Sequence, residues 1–175
     1  MDSNSPAKEE LKLQISEAYA RVVYTYTSHL KQTKRLESCH KAIKFTQIIL
    51  SALSTVGIIG AVTTDIYFMN IFSGLLSFAL LAINLYFKEF NAADEINDHR
   101  NAADELWLIK EKYLSLLTDL PYLSEREIIH ERDNLRDCTY NIYIKSPKTD
   151  SRAYSEAQKV LKISGNDTTI TTISF

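Results

Sequence analysis

The sequence predicts an all-α membrane protein: a two-helix transmembrane hairpin joined to a cytoplasmic helical bundle. Three observations carry this. Residues 45–64 contain no formal charge, and neither do residues 66–87, with only Asp65 between them. Each run makes a helix of roughly 30 Å, which matches the hydrocarbon thickness of a bilayer. Outside these runs the chain is rich in Lys, Arg, Asp and Glu, and its apolar residues recur every three or four positions, the period of a helix with one buried face.

The elements follow in order. Residues 1–8 are polar, include Pro6, and are expected to be disordered. Residues 9–44 form a cytoplasmic helix leading into the membrane, with Ile15, Tyr19, Val22, Tyr26 and Leu30 as its apolar stripe. No Pro or Gly interrupts residues 7–56, so the helix is expected to run unbroken into the first span. The hairpin occupies residues 45–87, with spans at 45–63 and 66–87. Gly57, Gly60, Ala61 and Gly74 are its expected helix-packing positions, because small side chains let membrane helices approach closely.

Residues 88–163 form the cytoplasmic helical region. Ile96, His99, Ala103, Leu106, Ile109, Tyr113, Leu116 and Leu120 make a second stripe, which ends near Pro121. Ser124 and Glu127 form a capping box ahead of Ile128, Leu135 and Ile142, and that helix stops before Pro147. A last helix is expected over 151–163 with Gly165 as its terminator, followed by a mobile tail over 164–175. The segment NAADE occurs at 91–95 and again at 101–105. Ten residues turn a helix about 80° out of register, so this is a repeat of good helix formers and not a structural unit.

Lys31, Lys34, Arg35, Lys41 and Lys44 precede the first span, Lys88 follows the second, and the connecting turn has no Lys or Arg. This bias puts both termini in the cytoplasm and Asp65 outside, in a multi-pass protein of the inner membrane. The alternative is a soluble protein with a buried apolar pair. A soluble core helix seldom stays free of charge around its whole circumference over this length.

Polar residues inside the spans form two faces: Gln47, Ser51, Ser54 and Thr55 on the first helix, and Asn70, Ser73, Ser77 and Asn84 on the second. An amide in hydrocarbon needs a partner, so these faces turn toward protein or water. They are read either as interhelical glue or as the lining of a conduit. Two spans cannot enclose a water path, so a conduit requires several copies. No ionisable residue lies mid-membrane, which argues against a proton relay or a coupled transporter.

The rest of the composition mainly excludes. A net charge of −2 gives no basic footprint for nucleic acid. Cys39 and Cys138 lack metal-ligand spacing and read as packing thiols. His29, His40, His99 and His130 fall in separate helical segments, and His99 is expected to pack or be solvated rather than react. No catalytic, nucleotide-binding or zinc motif is present, so no enzyme activity, cofactor or metal is expected. The first residues have no cationic region leading into an apolar core, so the hairpin itself is expected to direct targeting.

The order of helix, tight hairpin, Ala/Asp/Glu-rich helix and C-terminal helical pair resembles the SLATT proteins, the SMODS and SLOG-associating two-transmembrane effectors of bacteria. The local likenesses are YTYTSHLKQTKRLE entering the first span, HRNAADELWLIKEKY after the second, and SPKTDSRAYSEAQKV near the end. The last of these looks most like the fifth subfamily. The resemblance implies an antiphage-defence effector that oligomerises in the inner membrane and permeabilises it when an upstream nucleotide-generating or nucleotide-sensing protein is triggered, causing growth arrest or death. The expected partners are the lipid bilayer, further copies of the chain and that upstream protein, with no nucleic acid. The alternative is a membrane-anchored helical scaffold that holds a partner protein without forming a pore.

Overall fold

A computed structural model describes residues 6–63, 67–89 and 92–167. Asp65, the expected outer turn, lies outside the described residues, as does the tail beyond residue 167. All described elements are helical: α1 (Pro6–Thr63), α2 (Tyr67–Glu89), α3 (Ala92–Asp119), a 3₁₀ turn (Leu120–Tyr122), α4 (Glu125–Lys145) and α5 (Ser151–Asp167).

Local chemistry accounts for most of the boundaries. α1 begins at Pro6, three residues ahead of the expected start. Proline suits a first helical position, because its fixed φ is already helical and its missing N–H has no role there. The helix then runs for 58 residues, through the Pro- and Gly-free stretch 7–56 and on past Gly57 and Gly60. α3 gives way to the 3₁₀ turn at Pro121.

The α4 cap is the capping box read from sequence. The Ser124 amide donates to Glu127 Oε2 at 2.8 Å, and the Glu127 amide donates to Ser124 Oγ at 3.4 Å. The Ser124 hydroxyl, which donates to the same oxygen at 2.7 Å, and then the Ser124 amide hold the Glu127 carboxyl below its ordinary range. α4 ends at Lys145. Ser146 is extended (φ −78, ψ 144), the conformation imposed on a residue before proline. Asp150 Oδ1 accepts the Ala153 amide at 2.8 Å and opens α5. α5 continues through Gly165 to Asp167, so Gly165 does not terminate it. No glycine among the described residues has positive φ, and a glycine in ordinary helical geometry weakens a helix by about 1 kcal/mol without stopping it.

The chain divides into two compact units, one made of residues up to Thr33 with those from Asn97 onward, the other of Lys34–Ile96. The first is a helical bundle. Its core joins Ile15 and Val22 of α1, Leu106, Ile109, Tyr113 and Leu116 of α3, and Ile128, Leu135 and Ile142 of α4. Every residue of the expected α3 stripe from Ile96 to Leu120 is buried. On α1 the stripe holds at Ile15 and Val22, while Tyr19 and Tyr26 pack at its margin. Leu30 is only half-buried, and its neighbour His29 takes the inward place. Ala153 and Ala157 give α5 a small-residue buried edge.

Four polar contacts fix the directions. Lys8 Nζ donates to the Leu123 carbonyl at 2.8 Å and His29 meets His99, so α1 and α3 are antiparallel. Arg132 Nη1 donates to Gln14 Oε1 at 2.8 Å, and Thr25 meets Tyr143 at 3.2 Å. The two pairs have the same sequence separation, so α4 runs parallel to α1. The bundle is therefore not antiparallel throughout: α3 opposes both neighbours, which forces those two to agree.

Candidate functional site

The second unit is built around the apolar half of α1 and α2. Two contacts set the pairing. Gln47 Nε2 donates to Asn84 Oδ1 at 2.9 Å, and a Cβ placed on Gly57 would lie 3.0 Å from Ser73 Cβ. Ten residues forward on α1 correspond to eleven back on α2, so the helices are antiparallel. The two helices approach closely at Gly57, and a side chain there would crowd Ser73.

The pair is inverted relative to a soluble protein. Its buried side chains are the small polar ones, Ser54 and Ser73, at 6% and 7% exposure. Its large apolar side chains point outward, among them Phe45, Ile48, Val56, Phe68, Leu75 and Phe78, each at least 63% exposed. In water this arrangement forfeits about 25 cal/mol for every Å² of apolar surface left wet. In hydrocarbon the same surface costs nothing, and polar groups are the ones that gain by facing inward. Among the described residues one helix, α1, is long and apolar enough to cross a membrane. The apolar stretch of α2, Asn70–Tyr86, is shorter.

The eight polar residues singled out by sequence divide into two sets. Gln47, Ser54, Ser73 and Asn84 lie at or against the α1–α2 seam. Ser73 Oγ also donates to the Asn70 carbonyl at 3.0 Å. Ser51, Thr55, Asn70 and Ser77 are exposed. Thr55 Oγ1 donates to the Ser51 carbonyl at 3.0 Å, which satisfies its proton within its own helix. The packing residues divide too. Gly57 is at the seam and Gly60 is half-buried, whereas a Cβ on Gly74 would meet nothing within 4 Å in the same chain. The Ala61 side chain lies outside the described residues.

In the bundle the structure brings together two residues that the sequence left apart. His29 Nδ1 and His99 Nδ1 are 2.9 Å from each other, with both rings buried. Burial, and then the neighbouring His99, push the His29 imidazole down to about 4. No group of three or more His, Cys, Asp or Glu suited to a metal occurs among the described residues. A shallow cleft between α1, α3 and α4 is lined by Arg21, Arg132, Arg136, Tyr113 and Tyr143. Arg21 pairs with Glu17, Arg132 with Asp133, and Arg136 with Asp133 and Asp137, so each of the three arginines already has a carboxylate partner.

A helical bundle joined to an apolar pair with its large side chains outward defines a small helical membrane protein. Residues 11–172 match the model of the SMODS and SLOG-associating 2TM effector domain family 4, and the chain belongs to that family. The matching subfamily is the fourth, not the fifth that the SPKTDSRAYSEAQKV segment resembles. No curated protein and no solved structure matches the chain.

Proposed function

We propose that this protein is an antiphage-defence effector that crosses the bacterial inner membrane with both apolar helices, assembles there from several copies, and permeabilises the membrane when a nucleotide-linked upstream protein is triggered. The supporting observation is the exposed polar edge on an otherwise apolar pair. Ser51, Thr55, Asn70 and Ser77 find no cover within one chain, yet they sit on helices whose remaining outer surface suits lipid. Facing copies of the same edge would shelter them from hydrocarbon and could enclose water. Two helices cannot do this alone. The reaction is physical, not chemical: no bond is made, and the bundle serves as the receiver of the trigger.

The Gln47–Asn84 bond favours glue for the inner half of the polar set. That keeps the scaffold reading in play, in which the pair anchors and the bundle recruits a partner. Cells carrying the chain with its genomic neighbours separate the two. On phage challenge they should lose membrane potential and admit a membrane-impermeant dye before lysis. Retained potential with protection intact would leave the scaffold.

Orientation is checked independently. Lys and Arg flank the apolar helices on one side only, so both termini should be cytoplasmic. An impermeant thiol reagent applied to intact cells should label a cysteine introduced at Asp65 and spare one at Lys31 or Lys112. Labelling at Lys31 would overturn the topology.

A further inference from the structure

We propose that the cleft between α1, α3 and α4 binds a small phosphomonoester that carries a flat ring, with arginines holding the phosphate and tyrosines the ring. Arg21 enters the cleft from α1. Arg132 and Arg136 enter from α4, four residues apart and so on one helix face. Tyr113, Tyr140 and Tyr143 complete the aromatic part, and no carboxylate lines the cleft among the described residues. Three guanidiniums suit a group with three terminal oxygens better than a carboxylate with two, because each planar fork pairs with oxygens two at a time. The cleft has a volume of about 240 Å³. That is below the roughly 300–1,000 Å³ of ordinary small-molecule pockets, so it suits one phosphate and one ring and excludes a dinucleotide.

The carboxylates that pair with these arginines prepare the site. Asp133 Oδ1 accepts from Arg132 Nε at 3.0 Å and Nη2 at 2.8 Å, and from Arg136 Nη1 at 3.1 Å, which ties two guanidiniums to one oxygen. Gln14 Oε1 takes Arg132 Nη1 at 2.8 Å, and Asp137 Oδ1 takes Arg136 Nε and Nη2 at 3.2 Å. A guanidinium has five N–H donors, and these bonds use three on each arginine. The rest serve a ligand while the carboxylates keep the forks in place. The Arg21–Glu17 pair is looser, at 3.7 Å with both side chains more than half exposed, and exchanges for a stronger partner at little cost. Counted with Glu17, Asp133 and Asp137, the charges cancel. Recognition therefore rests on short charge-assisted bonds inside the cleft and not on a long-range field.

The tyrosines are graded in depth. Tyr113 is buried and makes the floor. Burial raises its phenol above the ordinary range, and Thr139, Arg21 and Arg136 act against that rise. The charges of α1 and α4 thus converge on one buried hydroxyl of α3. Tyr143 and Tyr140 are exposed at the rim, and Thr25 meets the Tyr143 hydroxyl at 3.2 Å. Exposed aromatic faces stack on a planar ring with little regard to its substituents. The inference concerns the bundle alone and stands whether or not the membrane pair conducts.

Isothermal titration calorimetry on the full chain in lipid nanodiscs tests it, with AMP, adenosine, glycerol 3-phosphate and inorganic phosphate as probes. AMP should bind once per chain. The two ringless phosphates should bind about tenfold more weakly, and adenosine should not bind. Arg136→Gln should weaken AMP and phosphate alike by about tenfold, since it removes a charge-assisted bond to the shared group. Tyr140→Ala should weaken AMP by about tenfold and leave phosphate unchanged. Both residues are exposed, so neither change threatens folding. Arg126→Gln, an exposed arginine outside the cleft, should change nothing. No heat with millimolar AMP would overturn the site, as would AMP binding that survives both Arg136→Gln and Tyr140→Ala. Equal affinity for AMP and inorganic phosphate would overturn the role of the ring.

Discussion

Leu106→Asp should leave no folded bundle. Leu106 is fully buried at the centre of the cluster formed by α1, α3 and α4. Losing a buried leucine side chain removes about 1.5–3 kcal/mol. A carboxylate in its place adds several more, because the site is fully buried among apolar side chains. Together these approach the roughly 5–15 kcal/mol that stabilises a whole domain. Leu108→Asp is the matched control. It lies two residues away at 49% exposure and should cost little. Circular dichroism during thermal unfolding of the purified protein separates them. A cooperative Leu106→Asp transition near the wild-type temperature would show that the stripe does not face the core.

The second large effect concerns the membrane pair. Ser77→Leu and Asn70→Leu should each abolish permeabilisation without harming insertion or assembly. Leucine is favoured over serine and asparagine in hydrocarbon, and neither residue forms the α1–α2 seam. A ring of leucines around a narrow water path dries it. Asn84→Leu should behave differently. It strips Gln47 of its 2.9 Å partner and leaves an amide in hydrocarbon, so it should weaken the pairing itself by about 1 kcal/mol or more. Leu75→Val, on the lipid-facing side, should change little.

Much of this was legible in the chain because local and global signals agree. The α3 stripe is buried from end to end, and the Ser124–Glu127 box and Pro121 act where the sequence places them. Period, capping and proline chemistry are local, and they survive packing. What could not be read depends on register between distant helices. His29 and His99 are 70 residues apart, and only the antiparallel docking of α1 on α3 brings them together. A sharper reading of periodicity would have found half of it, since His29 lies three residues past Tyr26 on the same stripe. The division of the polar faces also escapes sequence. A spacing of three or four shows that Asn70, Ser73, Ser77 and Asn84 share a side of α2. It does not show that Ser73 and Asn84 meet α1 while Asn70 and Ser77 stay uncovered. Gly74 illustrates the same limit: a small residue permits close approach without naming a partner. Gly165 shows that glycine ends a helix only when its φ turns positive, and here it does not.

The most direct measurement is single-channel recording from the purified chain in a planar bilayer, wild type against Ser77→Leu, with oligomer size determined on the same samples. If the exposed polar edge lines a conduit, the wild type shows discrete conductance steps and Ser77→Leu shows none at an unchanged oligomer size. Equal conductance per oligomer in the two, or a wild-type bilayer that stays electrically tight under conditions where the cell dies, would contradict it.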